Sequence, residues 1–204
     1  MPTLLSIVLS PRGDYSVSRA LSAKFVDAWK AAHPDGNVVT RDLCQTKLPF
    51  VDLPWILGAY TPAEQHSPEM KQALEIGNEL IAELQQADHI LIATPMYNFS
   101  TPAILKAYLD HVIRVGVTFS PSYEGLLKNK TTNVIIASAG TYTPGAYMEK
   151  ANFEVPYLTH ILGFIGLSPS FVLAGGTSDI DQGKTTREAL VAQFTPEVEA
   201  AAKR

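Results

Sequence analysis

One cysteine, Cys44, stands alone in the chain, which excludes an internal disulfide and a thiolate zinc cluster. Histidine is sparse: His33, His66, His89, His111 and His160 show no metal-like spacing such as HExxH, so no metal is expected and each reads as a surface or capping residue. Charged residues make up only 18%, with a formal net charge of −4 and no basic block. That excludes the electrostatic footprint of a nucleic-acid binder. No apolar run approaches the ~20 residues that span a bilayer. The apolar stretch 4–9 has no basic segment before it and no cleavage-like site after it, so a soluble, cytoplasmic protein without membrane contact is expected. Also missing are the GxGxxG, GxxxxGK[ST] and GxSxG fingerprints, internal repeats, linkers and low-complexity tracts. What is present is 46% hydrophobic residues over a length of 204, enough to bury a sizeable core and suited to one domain over 1–204.

The chain then alternates. Apolar runs at 4–9, 38–40, 89–93, 133–137 and 171–174 read as buried strands. Between them lie helical patterns: Val17, Leu21, Phe25 and Trp29 after a Ser16 N-cap; Met70, Leu74, Gly77, Ile81 and Leu84 after Ser67-Pro68; Leu105, Leu109 and Val112; Leu158, Ile161, Leu162 and Ile165 after Pro156. A last helix starts near Thr185, and Pro196 is expected to break or kink it. Asp110 and Arg114 read as an i,i+4 pair on a solvated face. Five strands alternating with helices predict an α/β, flavodoxin-like, five-stranded parallel sheet of order 2-1-3-4-5 with helices on both faces. Residues 43–66 interrupt the rhythm as a long connection carrying Phe50, Trp55 and Tyr60 among three prolines. Such aromatics need a ligand or a second subunit, or else pack on their own domain.

In that sheet, ligands bind where strands 1, 3 and 4 end. The first loop sets Ser10, Ser16, Val17 and Ser18 at a helix N-terminus, where free N–H groups and the helix dipole favour a phosphate. Taken alone, Ser16 reads first as a helix cap. The second loop, Thr94-Pro95-Met96-Tyr97-Asn98-Phe99, offers a polarisable thioether, aromatic walls and an amide that can pair with the polar edge of a ring. Core packing of Met96 and Phe99 explains those residues equally well. The third loop, Ser138-Ala139-Gly140-Thr141, brings backbone N–H groups close to a ligand. Ser138 as a hydrolytic nucleophile lacks the GxSxG elbow, since Ile136 stands two residues before it.

Four pieces, Tyr15-Ser16-Val17-Ser18, Pro95-Met96-Tyr97-Asn98-Phe99, Gly116-Val117-Thr118-Phe119 and Leu162-Gly163-Phe164-Ile165-Gly166, resemble the FMN-dependent NADH-azoreductases in this order. That family is also described as FMN-dependent NADH:quinone oxidoreductases, and the resemblance covers nearly the whole chain. It implies that Ser10, Ser16, Val17 and Ser18 bind the FMN phosphate, and that Met96, Tyr97, Asn98 and Phe99 line the isoalloxazine. It implies too that Ser138, Ala139, Gly140 and Thr141 flank the other side of the ring, and that Phe99, Phe119 and Phe164 form an apolar substrate pocket. The implied partners are NADH or NADPH as donor, a quinone or azo compound as acceptor, and a second copy in a homodimer with flavin sites at the interface. The implied chemistry is two-electron, ping-pong hydride transfer carried by the cofactor, with no catalytic side-chain acid or base. Two departures stand out. The family's third loop commonly reads Ser-Arg-Gly-Gly, and Pro121 stands where an aromatic is expected, with Tyr123 as its substitute. A flavodoxin-type electron carrier and a flavin-free ligand-binding or hydrolytic protein are the rival readings; the mild net charge and the aromatic stretch 43–66 speak against the carrier.

Overall fold

The computed structural model describes residues 1–204. β1 (Thr3–Val8), β2 (Asn37–Asp42), β3 (His89–Pro95), β4 (Thr131–Ala137) and β5 (Ser168–Ala174) form one parallel sheet in the order β2-β1-β3-β4-β5, the predicted one. The helices are α1 (Val17–Ala32), α2 (Leu53–Tyr60), α3 (Pro68–Gln86), α4 (Ala103–Val112), α5 (Glu154–Phe164), α6 (Ser178–Asp181) and α7 (Arg187–Ala201).

Side chains alternate between the two faces of a strand, and here both faces are apolar, as a sheet covered on both sides requires. Leu5, Ile7, Ile90, Ile92, Val134 and Ile136 point to one face and pack under α3, α4 and α5. Leu4, Val8, Leu91, Ala93, Ile135 and Ala137 point to the other and pack under α1 and α7, with Phe25 and Trp29 filling that layer. The pairs Leu5↔Ile90 and Ile92↔Val134 hold the register across the centre. On the edge strand β2, Arg41 reaches Glu79 and Glu83 of α3.

Four local expectations are corrected. The stretch 43–66 is not all loop: it contains α2, capped by Asp52, whose side chain accepts from Trp55 N–H at 2.9 Å. Trp55 of that helix is buried, edge-on to His111. His111 is itself buried, with Nε2 at 2.8 Å from the Pro49 carbonyl, so it is not a surface residue. The Asp110–Arg114 pair does not form, because α4 ends at Val112; Asp110 pairs with Lys106, and Arg114 donates to Asn78 Oδ1 at 2.6 Å. α7 continues through Pro196 as one helix. The missing N–H removes one bond, and the neighbouring Val191 carbonyl accepts from Thr195 Oγ1 at 2.8 Å. No helix is long and apolar enough to cross a membrane.

Candidate functional site

From β1 the chain passes to β2 on one side and, later, β3 joins on the other. That divergence opens a crevice at the carboxyl ends of the central strands. A cleft of about 210 Å³ lies there, and three loops supply its walls: Ser10, Ser16, Val17 and Ser18 from the first, Pro95, Met96 and Tyr97 from the second, Ala139 from the third. A larger open groove of about 530 Å³ lies between α1 and α7, and none of the three loops lines it.

The first loop presents its donors at the start of α1. Ser16 Oγ caps the helix, accepting from Arg19 N–H at 3.1 Å, while the N–H groups of Val17 and Ser18 have no carbonyl within the helix to meet. Ser16 Oγ and Ser18 Oγ lie 3.1 Å apart; one hydrogen serves that contact and the other is left for a ligand. Both side chains and Ser10 are buried. Behind them Arg19 locks the loop: Nε donates to the Ser10 carbonyl at 2.7 Å, and the guanidinium grips Asp42 with two bonds of 2.8 Å. That bidentate pair holds the Asp42 carboxyl below its ordinary value.

The second loop folds back on itself. Tyr97 and Ser100 exchange two backbone hydrogen bonds of 3.0 Å, and the residues between them have positive φ, 48° at Asn98 and 69° at Phe99. Asparagine adopts that region readily, whereas phenylalanine is strained there. The turn sets Asn98 and Phe99 on the rim beyond Met96 and Tyr97, with Phe99 45% exposed and Asn98 lining an outer groove with Lys106 and Tyr157.

In the third loop the Ser138 hydroxyl donates to the Gly140 carbonyl at 2.8 Å, so it shapes the turn and has no base beside it. Ala139 lines the cleft directly, whereas Ser138, Gly140 and Thr141 do not. The segment after β5 braces this loop, with Thr177 N–H on the Ser138 carbonyl at 3.0 Å and Ser178 Oγ on the Ala139 carbonyl at 2.8 Å. Gly175 permits that approach, since a Cβ there would sit 2.9 Å from both the Gly140 carbonyl oxygen and Thr141 Cα.

The predicted substrate residues fall into two groups. Phe119 and Phe164 meet at 4.7 Å between ring centroids, and Tyr123 joins both at 6.3 Å. Phe99 instead meets Tyr142 edge-on at 6.4 Å. Arg12, Thr177 and Asp181 also line the cleft and were not singled out from the sequence. Arg12 and Asp181 face each other at 3.9 Å across its mouth, both exposed. Arg12 lay inside the first loop; Thr177 and Asp181 follow β5, which the strand-order rule does not point to.

This donor set fits FMN. Buried hydroxyls and first-turn N–H groups suit a phosphate, and Met96 and Tyr97 beside them give a flat ring a surface to lie on.

A model of the flavodoxin-like fold family matches residues 2–196. An FMN-dependent NADH:quinone oxidoreductase 8 of Burkholderia lata is 43% identical over 205 residues, covering 100% of this chain and 98% of that one. An FMN-dependent NADH:quinone oxidoreductase 2 of Jannaschia sp. is 44% identical over 204 residues, covering 100% of both. Among solved structures, an FMN-dependent NADH-azoreductase from Bacillus anthracis in complex with FMN is 25% identical with a TM-score of 0.85, covering 99% of this chain and 98% of that one.

Proposed function

We propose, from the premise that the chain belongs to the flavodoxin-like family of FMN-dependent NADH:quinone oxidoreductases, that it uses FMN to transfer two electrons from NADH to quinones and azo compounds. The observation that carries this reading is the convergence of buried serine hydroxyls, a helix N-terminus and the Met96-Tyr97 seat on one cleft. Bound FMN would supply the two-electron chemistry; the chain's own residues supply binding, orientation and exclusion of water.

Residues 1–204 act as one FMN-binding domain. Ser10 and the Ser16, Val17 and Ser18 turn hold the phosphate by charge-assisted hydrogen bonds. Met96, Tyr97, Asn98 and Phe99 support the ring, with the Asn98 amide at its polar edge. Ser138, Ala139, Gly140 and Thr141 flank the opposite side, Thr177 and Ser178 keeping that loop in place. Phe99, Phe119 and Phe164 give apolar walls to the substrate. Donor and acceptor occupy this pocket in turn, which makes the kinetics ping-pong. The charged groups lining the cleft are Arg12 and Asp181, which pair with each other at its exposed mouth, and Tyr97 is placed as a ring support, so no side-chain acid or base is assigned and protons come from water. Parallel double-reciprocal lines for NADH and a benzoquinone are expected; intersecting lines would contradict this mechanism.

We also read the protein as a cytoplasmic homodimer with the flavin sites at the interface. Leu53, Ile56, Leu57 and Tyr60 of α2 are exposed alongside Phe50, an apolar surface of the kind that a second subunit covers. A sedimentation profile of a monomer at micromolar concentration would refute it.

A further inference from the structure

Two neighbouring residues at the start of α5 hold the two ends of the 94–99 segment. Phe153, the residue before the helix, donates its N–H to the Phe99 carbonyl at 3.0 Å. Glu154, the first helical residue, is fully buried and reaches the other end, with Oε1 at 3.3 Å from Thr94 Oγ1. Thr94 is buried too, and its hydroxyl lies 2.9 Å from the Pro95 carbonyl oxygen. Pro95 and Met96, next in the chain, line the cleft.

A threonine hydroxyl has one hydrogen to give. The shorter contact assigns it to the Pro95 carbonyl, so the hydrogen in the Glu154 contact comes from the carboxyl group. Glu154 Oε2 has no hydrogen-bond partner, and a buried carboxylate with an unpaired oxygen is costly. We propose that Glu154 is a positioning residue: its protonated carboxyl, acting through the Thr94 hydroxyl on the Pro95 carbonyl, holds the cofactor-bearing loop, so that FMN affinity depends on that proton. The inference rests on the flavin reading of the cleft.

The surroundings support a neutral carboxyl. Burial pushes Glu154 up to about 8, and only the Thr94 hydrogen bond opposes it. β4 and β5 carry no titratable side chain, β3 carries only His89 at its far end, and α5 adds Tyr157 and His160. α4 carries Lys106, Tyr108, Asp110 and His111, and the preceding loop Glu149 and Lys150; none of them bonds to Glu154. Loss of the proton turns the Thr94 hydroxyl toward the carboxylate and frees the Pro95 carbonyl.

The test is FMN titration of apoprotein by fluorescence quenching between pH 6 and 9, with E154Q beside the wild type. If only the protonated form holds the loop, the competent fraction at pH 9 is about one in ten, and the apparent Kd rises about tenfold from pH 7. E154Q, neutral at every pH and still a donor to Thr94, is expected to bind like the wild type at pH 7 and to lack that extra rise. Thr94→Val, which removes the hydroxyl through which the carboxyl acts, is expected to bind more weakly already at pH 7 and, like E154Q, to lack the extra rise. Parallel pH curves for wild type and E154Q overturn the proposal, as does a Thr94→Val protein indistinguishable from wild type. The apoprotein melting temperature separates this outcome from failure of the flavin reading. A carboxyl raised in the folded state contributes stability at low pH and loses it as pH rises. The wild type is therefore expected to lose stability relative to E154Q from about pH 4.3, the ordinary glutamate value, up to about 8 and then to level off. That pattern without FMN binding at any pH would sink the flavin assignment and leave the neutral carboxyl standing.

Discussion

Ser16 does two jobs, and one substitution can take them apart. Its side chain caps α1 through Arg19 N–H at 3.1 Å, and it lines the cleft beside Ser18. Ser16→Ala removes both. Loss of an N-cap costs about 1 kcal/mol, which in a chain of this length lowers Tm by about 2–4 °C. A hydrogen bond to a charged group is worth about 1.5–3 kcal/mol, so the FMN Kd is expected to rise about 10- to 150-fold. Riboflavin has the same ring and no phosphate, and its affinity is expected to stay unchanged. Ser16→Asp sharpens the contrast. Aspartate caps helices as well as serine does, so Tm recovers, while a carboxylate facing the phosphate abolishes FMN binding and spares riboflavin. Fluorescence titration of apoprotein with both ligands and a thermal melt read all three effects. An equal loss of FMN and riboflavin affinity in Ser16→Ala would show that Ser16 is a cap alone, and the phosphate assignment would fall.

Other perturbations test other parts of the site. Gly175→Ala puts a methyl 2.9 Å from the Gly140 carbonyl oxygen and Thr141 Cα; the loop must shift, at about 1–3 kcal/mol of stability, and FMN affinity is expected to fall with it, which a melt and a titration check. Asn98→Gly keeps the turn, because glycine tolerates the φ of 48°, and removes only the amide; flavin binding or its reduction by NADH is expected to weaken about fivefold, the worth of one ~1 kcal/mol hydrogen bond. Asp42, held low by Arg19, contributes stability that is present above the ordinary aspartate value of about 3.9 and is lost as pH falls through its folded value. Urea denaturation below pH 4 is expected to bring the wild type toward Asp42→Asn, and a constant gap between the two would contradict the pairing.

The sheet and its three loops were legible because they follow from period and order. Leu5, Ile7, Ile90 and Ile92 alternate with Leu4, Val8, Leu91 and Ala93, and a strand-helix alternation leaves few ways to stack them. Once the order is 2-1-3-4-5, the loops after β1, β3 and β4 must converge. α2 was hidden because Leu53 to Tyr60 is apolar all round and contains Pro54 and Gly58, which read as breakers. Pro54 sits in the first turn, where it needs no N–H, and Gly58 gives room to Leu74, which a Cβ would meet at 2.9 Å. Glu154 was invisible for the opposite reason. One acid before an apolar helix looks like an ordinary first-turn residue, and only the fold shows that it is buried against Thr94. Arg12 and Asp181 were missed because their contact joins residues 169 positions apart, which no local pattern encodes.

The most direct test is an anaerobic absorbance spectrum of the purified protein after incubation with FMN and removal of free cofactor, followed by NADH and then a quinone. The expected sequence is a bound flavin spectrum, bleached by NADH and restored by the quinone. A protein that stays colourless after incubation with FMN, or a bound flavin that NADH does not bleach, would contradict the account.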